Sequence, residues 1–261
     1  MIKVNNSTCT QCALCARVCP FTVLEMSEGF PKLIENKEKA CLKCMHCVSI
    51  CPVNALSFES IPESLQKSIL PSLTSYDDLK NLILSNRSIR HFSSKPVPFV
   101  EIEEILNVAS YAPSAKNQHP TKWILVYDSK KVSEIMSHIL CYVEENNIAR
   151  EIISEFKIGN NVVTLDAPHL LFGIAPKEGA VNPYADTIIA LTDVDLLLHS
   201  KSIGACWAGY LSRLTNANPI IRELIGLEDS MQIYGALAFG YPIGEKYERL
   251  PYRDTADILI K

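Results

Sequence analysis

Eight of the ten cysteines in this 261-residue chain lie within its first 51 residues, and their spacing leaves few ways for that stretch to fold. Cys9, Cys12, Cys15 and Cys19 precede Pro20, and Cys41, Cys44, Cys47 and Cys51 precede Pro52, so one run, C-x-x-C-x-x-C-x-x-x-C-P, occurs twice. Disulfides would suit a small secreted domain, but the start MIKVNNSTC lacks the apolar segment of a secretory signal. Structural zinc usually takes two cysteine pairs well separated along the chain. Three thiolates at a spacing of three, with proline after the fourth, suit the face of an iron–sulfur cubane better, and zinc stays as the rival reading.

The doubled run resembles that of bacterial ferredoxins, in which three thiolates of one run hold a [4Fe-4S] cluster and the fourth reaches across to the other. The resemblance implies two clusters, one on Cys9, Cys12, Cys15 and Cys51, the other on Cys41, Cys44, Cys47 and Cys19. His46 lies inside the second run, where four thiolates already complete the set; it reads as a residue beside the cluster or on the surface. The repeat implies internal two-fold symmetry.

The chain is too long for one cluster domain and predicts two folding units. Its formal net charge is −4 and 48% of its residues are hydrophobic, enough for a real core. No basic stretch points to nucleic acid, and no apolar run is long enough to span a membrane. Free thiols and oxygen-sensitive clusters predict a cytoplasmic setting.

We divide the chain into a 2[4Fe-4S] ferredoxin-like domain over 1–60, a Pro/Ser/Leu-rich linker over 61–76, and an α+β domain over 77–261. In the first, VLEMSEGFPKLI predicts a hairpin with Gly29 and Pro31 at its turn. In the last, DDLKNLILSN places Leu79, Leu82 and Ile83 at helical spacing, and PFVEIEEILNVASYA sets Ile102, Ile105, Leu106 and Ala109 on one face. WILVYD, HLLFGIA and MQIYGALAFG predict buried strands. YADTIIALTDVDLLLHSKSIG predicts a long, largely buried helix stopped by Gly204. NPIIRELIG has Asn218 as N-cap, Pro219 at the first helical position and Gly226 at the C-cap.

Four segments of the last domain carry chemistry. Asn86-Arg87-Ser88-Ile89-Arg90-His91-Phe92 offers guanidinium groups for phosphate. Ala112-Pro113-Ser114-Ala115-Lys116-Asn117-Gln118-His119 ends a helix and leads towards the strand after Trp123. Gly204-Ala205-Cys206-Trp207-Ala208-Gly209-Tyr210 follows the long helix. Gly240-Tyr241-Pro242 leads to Lys246-Tyr247-Glu248-Arg249-Leu250-Pro251-Tyr252-Arg253. In this order and spacing they resemble the segments of FMN-dependent nitroreductase-fold flavoproteins, and the whole chain is similar to a ferredoxin–nitroreductase fusion.

That resemblance implies a central mixed sheet flanked by helices, an intertwined homodimer, and FMN bound by Arg87, Ser88 and Arg90, by Pro113, Ser114 and Asn117, by the backbone at Ala208 and Gly209, and by Arg249 or Arg253. Asn86 stands where the family often has a first arginine, which puts weight on Arg87. His119 reads either as a proton donor or as a histidine satisfying turn carbonyls. Cys141 and Cys206 read as small hydrophobes. No side chain is committed to covalent catalysis. The activity implied is an oxidoreductase passing electrons from a ferredoxin-like donor through both clusters to FMN and on to a small acceptor such as a nitroaromatic or a quinone. NAD(P)H as donor, and a non-catalytic electron-transfer or redox-sensing module, are the alternatives. The stretch from about Tyr142 to Tyr184, with a helical lid and the loop PKEGAVNPY, is where acceptor specificity would vary.

Overall fold

A computed structural model describes residues 2–59, 74–244 and 247–261. The chain divides into two compact units, Met1–Leu73 and Thr74–Lys261. The expected linker falls outside the described residues except at 74–76, where the Ser75 hydroxyl accepts the Asp78 N–H at 3.1 Å and caps the next helix.

The first unit is small, and its backbone repeats itself. Strand β1 (Ile2–Val4) pairs antiparallel with β4 (Leu56–Phe58), and β2 (Leu24–Ser27) forms a hairpin with β3 (Phe30–Leu33). Glu28 and Gly29 both have positive φ, 51° and 85°, the twist a two-residue hairpin turn requires. Pro31 is not at the turn: it sits inside β3 opposite Met26, on a two-stranded ladder with room for a residue that cannot donate. Two short helices, α1 (Leu14–Val18) and α2 (His46–Ser49), start at equivalent points of the two cysteine runs. Their N-caps match closely, Ala13 at φ 60°, ψ 7° and Met45 at φ 60°, ψ 8°. Gln11 and Lys43, and Thr22 and Asn54, are further matched pairs with positive φ. These left-handed residues bend the chain around each sulfur set at a local conformational cost. A core this small, Val23, Leu24, Ala55, Leu56 and Phe58 with Cys15 and Cys47, needs cross-linking by metal to stand.

In the second unit α3 (Tyr76–Ser85) and α4 (Phe99–Ala109) come first, then β5 (Lys122–Val126), α5 (Ser129–Glu145), α6 (Arg150–Lys157) and β6 (His169–Pro176). The long α7 (Pro183–Ser200), β7 (Gly204–Trp207), α8 (Gly209–Ala217), α9 (Pro219–Leu224) and β8 (Met231–Gly240) complete it. The sheet runs β5-β6-β8-β7 with every pair antiparallel. Its parallel component is the bridge between Ser88 and Ala205 at the β7 edge.

Side-chain alternation sends Leu170, Phe172, Ala236 and Ala238 to one face, under α5, α6, α8 and α9. Leu171, Leu237 and Phe239 point to the other face, under α4 and α7. Ile102, Ile105 and Ala109 of α4 are buried as their spacing predicts, whereas Leu79 and Ile83 of α3 stay exposed. Asn218 caps α9 by accepting the Ile220 and Ile221 N–H groups, and Gly226 takes φ 68°. Gly204 does not end α7. The helix closes at Ser200, and Gly204 opens β7, where a Cβ would stand 2.7 Å from the Ile89 side chain.

Close approach fixes α7 on the sheet. Gly173 and Gly235 face each other across β6 and β8. A Cβ on Gly173 would fall 2.7 Å from Thr187, and one on Gly235 would fall 2.7 Å from Leu191. Among the described residues no helix is long and apolar enough to cross a membrane.

Candidate cluster and cofactor sites

The cysteines of the first unit gather around two cavities. One is lined by Cys19, Cys41, Cys44 and Cys47, the other by Cys9, Cys12, Cys15 and Cys51. Each cavity thus takes three sulfurs from one run and the fourth from the other, the crosswise sets expected of two cubanes. No group of three or more His, Cys, Asp or Glu side chains among the described residues is set to hold a single metal ion. Four thiols lining one cavity suit a cluster with an iron at each of four corners.

The crossing cysteines are held alike: the Val23 N–H donates to Cys19 Sγ at 3.4 Å and the Ala55 N–H to Cys51 Sγ at 3.2 Å. Burial pushes the Cys47 thiol up to about 11 and raises Cys15. The Leu14 backbone N–H lowers exposed Cys12. Thiolates at Cys15 and Cys47 are costly alone and need iron to neutralise them. His46 is exposed at the start of α2 and lines the cavity with Cys47, alongside the thiols.

In the second unit, backbone bonds draw three of the four sequence segments together. Ile89 N–H donates to the Ala205 carbonyl at 2.9 Å, beside the Ser88–Ala205 bridge. Ser93 N–H donates to Tyr241 O at 2.8 Å, and Ile243 N–H to His91 O at 3.0 Å. Side chains of α7 add to this: the Asn86 amide donates to Asp195 Oδ2 at 2.9 Å, and the Trp207 indole N–H reaches the same oxygen at 3.4 Å. Ser85 and His199 meet at 2.8 Å one turn further on.

The remaining segment, 112–119, is attached through the start of α7, where Asp186 accepts the Ala115 N–H at 2.9 Å. Lys116, Asn117 and His119 all have positive φ, 51°, 55° and 44°. Ser114 Oγ accepts the His119 N–H at 2.9 Å, and the His119 ring meets Asn117 Oδ1 at 3.0 Å. His119 thus bonds a side chain of its own turn.

Arg87 donates to the Leu84 carbonyl at 2.7 Å and the Asn86 carbonyl at 2.6 Å, closing the C-terminus of α3. Arg90 donates to Ser88 O at 3.4 Å. Ala208 is buried, its N–H bound to Ala236 O at 2.9 Å, whereas Gly209 is exposed with nothing within 4 Å of where a Cβ would stand. The α6 helix is tied to this segment by the Tyr210 hydroxyl, which donates to Glu151 at 3.0 Å. Arg249 and Arg253 lie on the exposed arm 247–261, where Arg253 donates to its neighbour Tyr252 at 2.9 Å.

The donor set suits a phosphorylated flavin. Two guanidinium groups, a serine hydroxyl, an asparagine amide and an open backbone edge at Gly209 are what phosphate, ribityl oxygens and a ring edge demand. Asp186 and Asp195 escaped the sequence reading. Their signal was present, because aspartates on a helix as apolar as α7 need a partner.

Comparison with known proteins agrees. Residues 83–241 match the nitroreductase family, and residues 8–56 match the 4Fe-4S dicluster domain. A Bacillus subtilis (strain 168) protein named as an NAD(P)H nitroreductase, YfhC, is 26% identical over 183 residues, covering 67% of this chain and 91% of its own. Iodotyrosine deiodinase of Nematostella vectensis is 26% identical over 204 residues, 71% of this chain and 73% of its own. A crystal structure of a nitroreductase with bound FMN from Bacteroides fragilis NCTC 9343 shares the fold, with TM-score 0.61 at 19% identity over 72% of this chain and 100% of that one. The chain belongs to the nitroreductase family, as an oxidoreductase that carries a 4Fe-4S dicluster domain ahead of its nitroreductase domain.

Proposed function

We propose that the protein is an FMN-dependent oxidoreductase that takes electrons from a ferredoxin-like donor through two [4Fe-4S] clusters and delivers them to a small acceptor, such as a nitroaromatic or a quinone. The observation that carries this reading is the pair of crosswise thiol sets ahead of a nitroreductase domain. When bound, the clusters supply one-electron transfer, and FMN supplies the conversion between one- and two-electron chemistry.

The residues of the chain divide the rest of the work. Arg87 and Ser88 provide charge and a hydroxyl for phosphate and ribityl oxygens, with Arg249 or Arg253 of the arm as a further phosphate partner. Arg90 provides a cation for the pyrimidine edge, which favours negative charge on a reduced ring. Asn117 offers its amide to the ring, the Pro113–Ser114 turn brings backbone near it, and the backbone at Ala208 and Gly209 gives the ring a flat edge. We assign no side chain to covalent catalysis. A homodimer fits the exposed apolar side chains of the arm, Leu250, Tyr252, Ile258, Leu259 and Ile260, and those of α3.

The test is an anaerobic assay of the full chain with reduced ferredoxin, NADH or NADPH against a panel of nitroaromatics and quinones. Ferredoxin-driven turnover that disappears in Cys44→Ala, while dithionite still reduces the flavin, is the expected result. Turnover with NAD(P)H that is indifferent to Cys44→Ala would favour the second reading, direct reduction by nicotinamide, which the name of the Bacillus subtilis relative suggests. Stoichiometric flavin with no turnover on any acceptor would favour an electron-transfer or sensing module.

A further inference from the structure

The turn at 114–119 is held in an unfavourable shape, by bonds within itself and by contacts to one neighbouring stretch. Lys116, Asn117 and His119 occupy the left-handed region without being glycine. Such residues persist only where surrounding contacts over-determine them. The contacts here run to the stretch 179–187, the approach to α7 and its first turns. Asp186 Oδ1 accepts the Ala115 N–H at 2.9 Å, Gln118 Oε1 accepts the Val181 N–H at 2.7 Å, and the Thr121 and Thr187 hydroxyls meet at 3.3 Å. Gln118 Nε2 also donates to Gly179 O at 3.4 Å.

Of these anchors Asp186 is the one carboxylate, and at 4% exposure its burial carries a desolvation penalty that the neutral anchors do not. Its second oxygen, Oδ2, is buried without a hydrogen-bond partner. The residue stands in the first turn of α7, where the helix N-terminus favours a carboxylate. The next residue, Thr187, packs so closely on β6 that Gly173 has no room for a Cβ. The carboxylate is therefore mounted on an element that cannot shift, and it grips the turn next to Ser114 and two residues before Asn117.

We propose that Asp186 is a positioning residue of the cofactor site: its buried carboxylate fixes the Ala115 amide and so sets the strained Ser114–His119 turn that presents Asn117 to the flavin ring. The inference rests on the flavin reading above for what the turn faces, and on the structure alone for what holds it. Asp186 acts through the turn and does not itself touch the flavin.

The test uses the full chain. Hydrogen exchange at the amides of Ala115 to Asn117 reads the contact without any need for flavin. Asp186→Ala should speed that exchange by about tenfold or more, the effect of losing one charged, buried hydrogen bond. FMN affinity should drop by a similar factor, and kcat should fall with KM for a nitroaromatic acceptor nearly unchanged. Asp186→Asn keeps an oxygen in place to accept the Ala115 N–H and should restore protection, affinity and kcat to within about threefold. Asp186→Leu, close in size but without an acceptor, replaces the alanine variant if that one fails to fold. Wild-type protection and affinity in Asp186→Ala or Asp186→Leu, or an asparagine variant as impaired as they are, would overturn the proposal while leaving the flavin reading intact. A wild-type chain that binds no FMN, with exchange still accelerated in the variants, would overturn both the flavin reading and the positioning role, leaving only a structural contact.

Discussion

The backbone N–H of Val97 donates to Nε2 of His169 at 2.9 Å, joining residues 72 positions apart at the buried start of β6. Because Nε2 accepts, the neutral ring carries its proton on Nδ1, which donates to the Tyr127 carbonyl at 2.9 Å. Tyr127 returns the link by donating its hydroxyl to the Val97 carbonyl at 2.9 Å. Its ring stacks on His169, centroids 4.7 Å apart, with Phe239 at 5.2 Å on His169. This knot ties down the segment that connects the Arg87–Phe92 stretch to α4.

Acid should loosen it. Burial lowers the His169 pKa below its ordinary 6.5, so between the two values the unfolded chain binds more protons than the folded one. The stability contributed by the neutral ring is complete above about 6.5 and is lost as pH falls through the lowered folded value. Protonation would also set an N–H against the Val97 N–H. In denaturant titrations at pH 8, 6.5 and 5, His169→Gln should show a flatter pH dependence than wild type across that window. His169→Ala should lose about 1–3 kcal/mol for the unpaired Val97 N–H, and more for the cavity. Identical pH slopes in wild type and His169→Gln would remove the histidine from the acid response.

Asp195 should couple two segments that the sequence presents as separate motifs. It accepts from Asn86 at 2.9 Å and from the Trp207 indole at 3.4 Å. A double-mutant cycle of Asn86→Ala and Asp195→Ala should give a coupling of about 0.5–1.5 kcal/mol, modest because the site is only partly buried. Trp207 fluorescence should shift in Asp195→Ala, and in a Trp123→Phe background the signal belongs to Trp207 alone. Additive effects in the cycle would mean that the Asn86–Asp195 bond adds nothing to the backbone bonds that already join the two segments.

The cluster unit was legible in its local part, the two cysteine runs and their spacing, whereas which sulfurs share a site came from the resemblance to the bacterial ferredoxin run. Strands β5, β6 and β8 and helices α4 and α9 were legible for a similar reason, through apolar runs and caps such as Asn218. Pro31 was misplaced because a two-stranded ladder tolerates proline where a wider sheet would not. The misreading at Gly204 has another source. The glycine is required by Ile89, more than a hundred positions away, and no neighbouring residue announces that. Asp186 and Asp195 were overlooked although aspartates on so apolar a helix call for partners, since those partners, Ala115 and Asn86, belong to segments read for other chemistry. The short β7 stayed hidden because GACW has no alternation to read.

Arg87 should serve two ends. Its guanidinium already donates to the carbonyls of Leu84 and Asn86 and so closes α3, and the proposed function gives it the flavin phosphate as well. Arg87→Ala should weaken FMN binding by about 1.5–3 kcal/mol, the range for hydrogen bonds to charged groups. Arg87→Lys keeps the charge but not the planar fork, and should recover only part of that affinity. Equilibrium dialysis of FMN against the three proteins decides it, and affinity unchanged in Arg87→Ala would take Arg87 out of the site.

The crosswise thiol sets give the sharpest test of the first unit. Anaerobically prepared protein should hold about eight iron and eight acid-labile sulfide per chain, as two four-iron clusters require. Cys51 belongs by sequence to the second run but lines the cavity of Cys9, Cys12 and Cys15, and Cys19 lines that of Cys41, Cys44 and Cys47. Cys51→Ala should therefore remove or convert the cluster at the first run, and Cys19→Ala the cluster at the second. Each variant should lose up to about half the iron, and the two should leave different residual electron paramagnetic resonance signals. Pairing each with Cys12→Ala separates crossing from local ligation: Cys12→Ala should add little to Cys51→Ala, because both damage one cluster, but should deplete both sites when combined with Cys19→Ala. The opposite pattern would assign each fourth cysteine to its own run. Zinc at about two per chain without sulfide would replace the cubanes altogether.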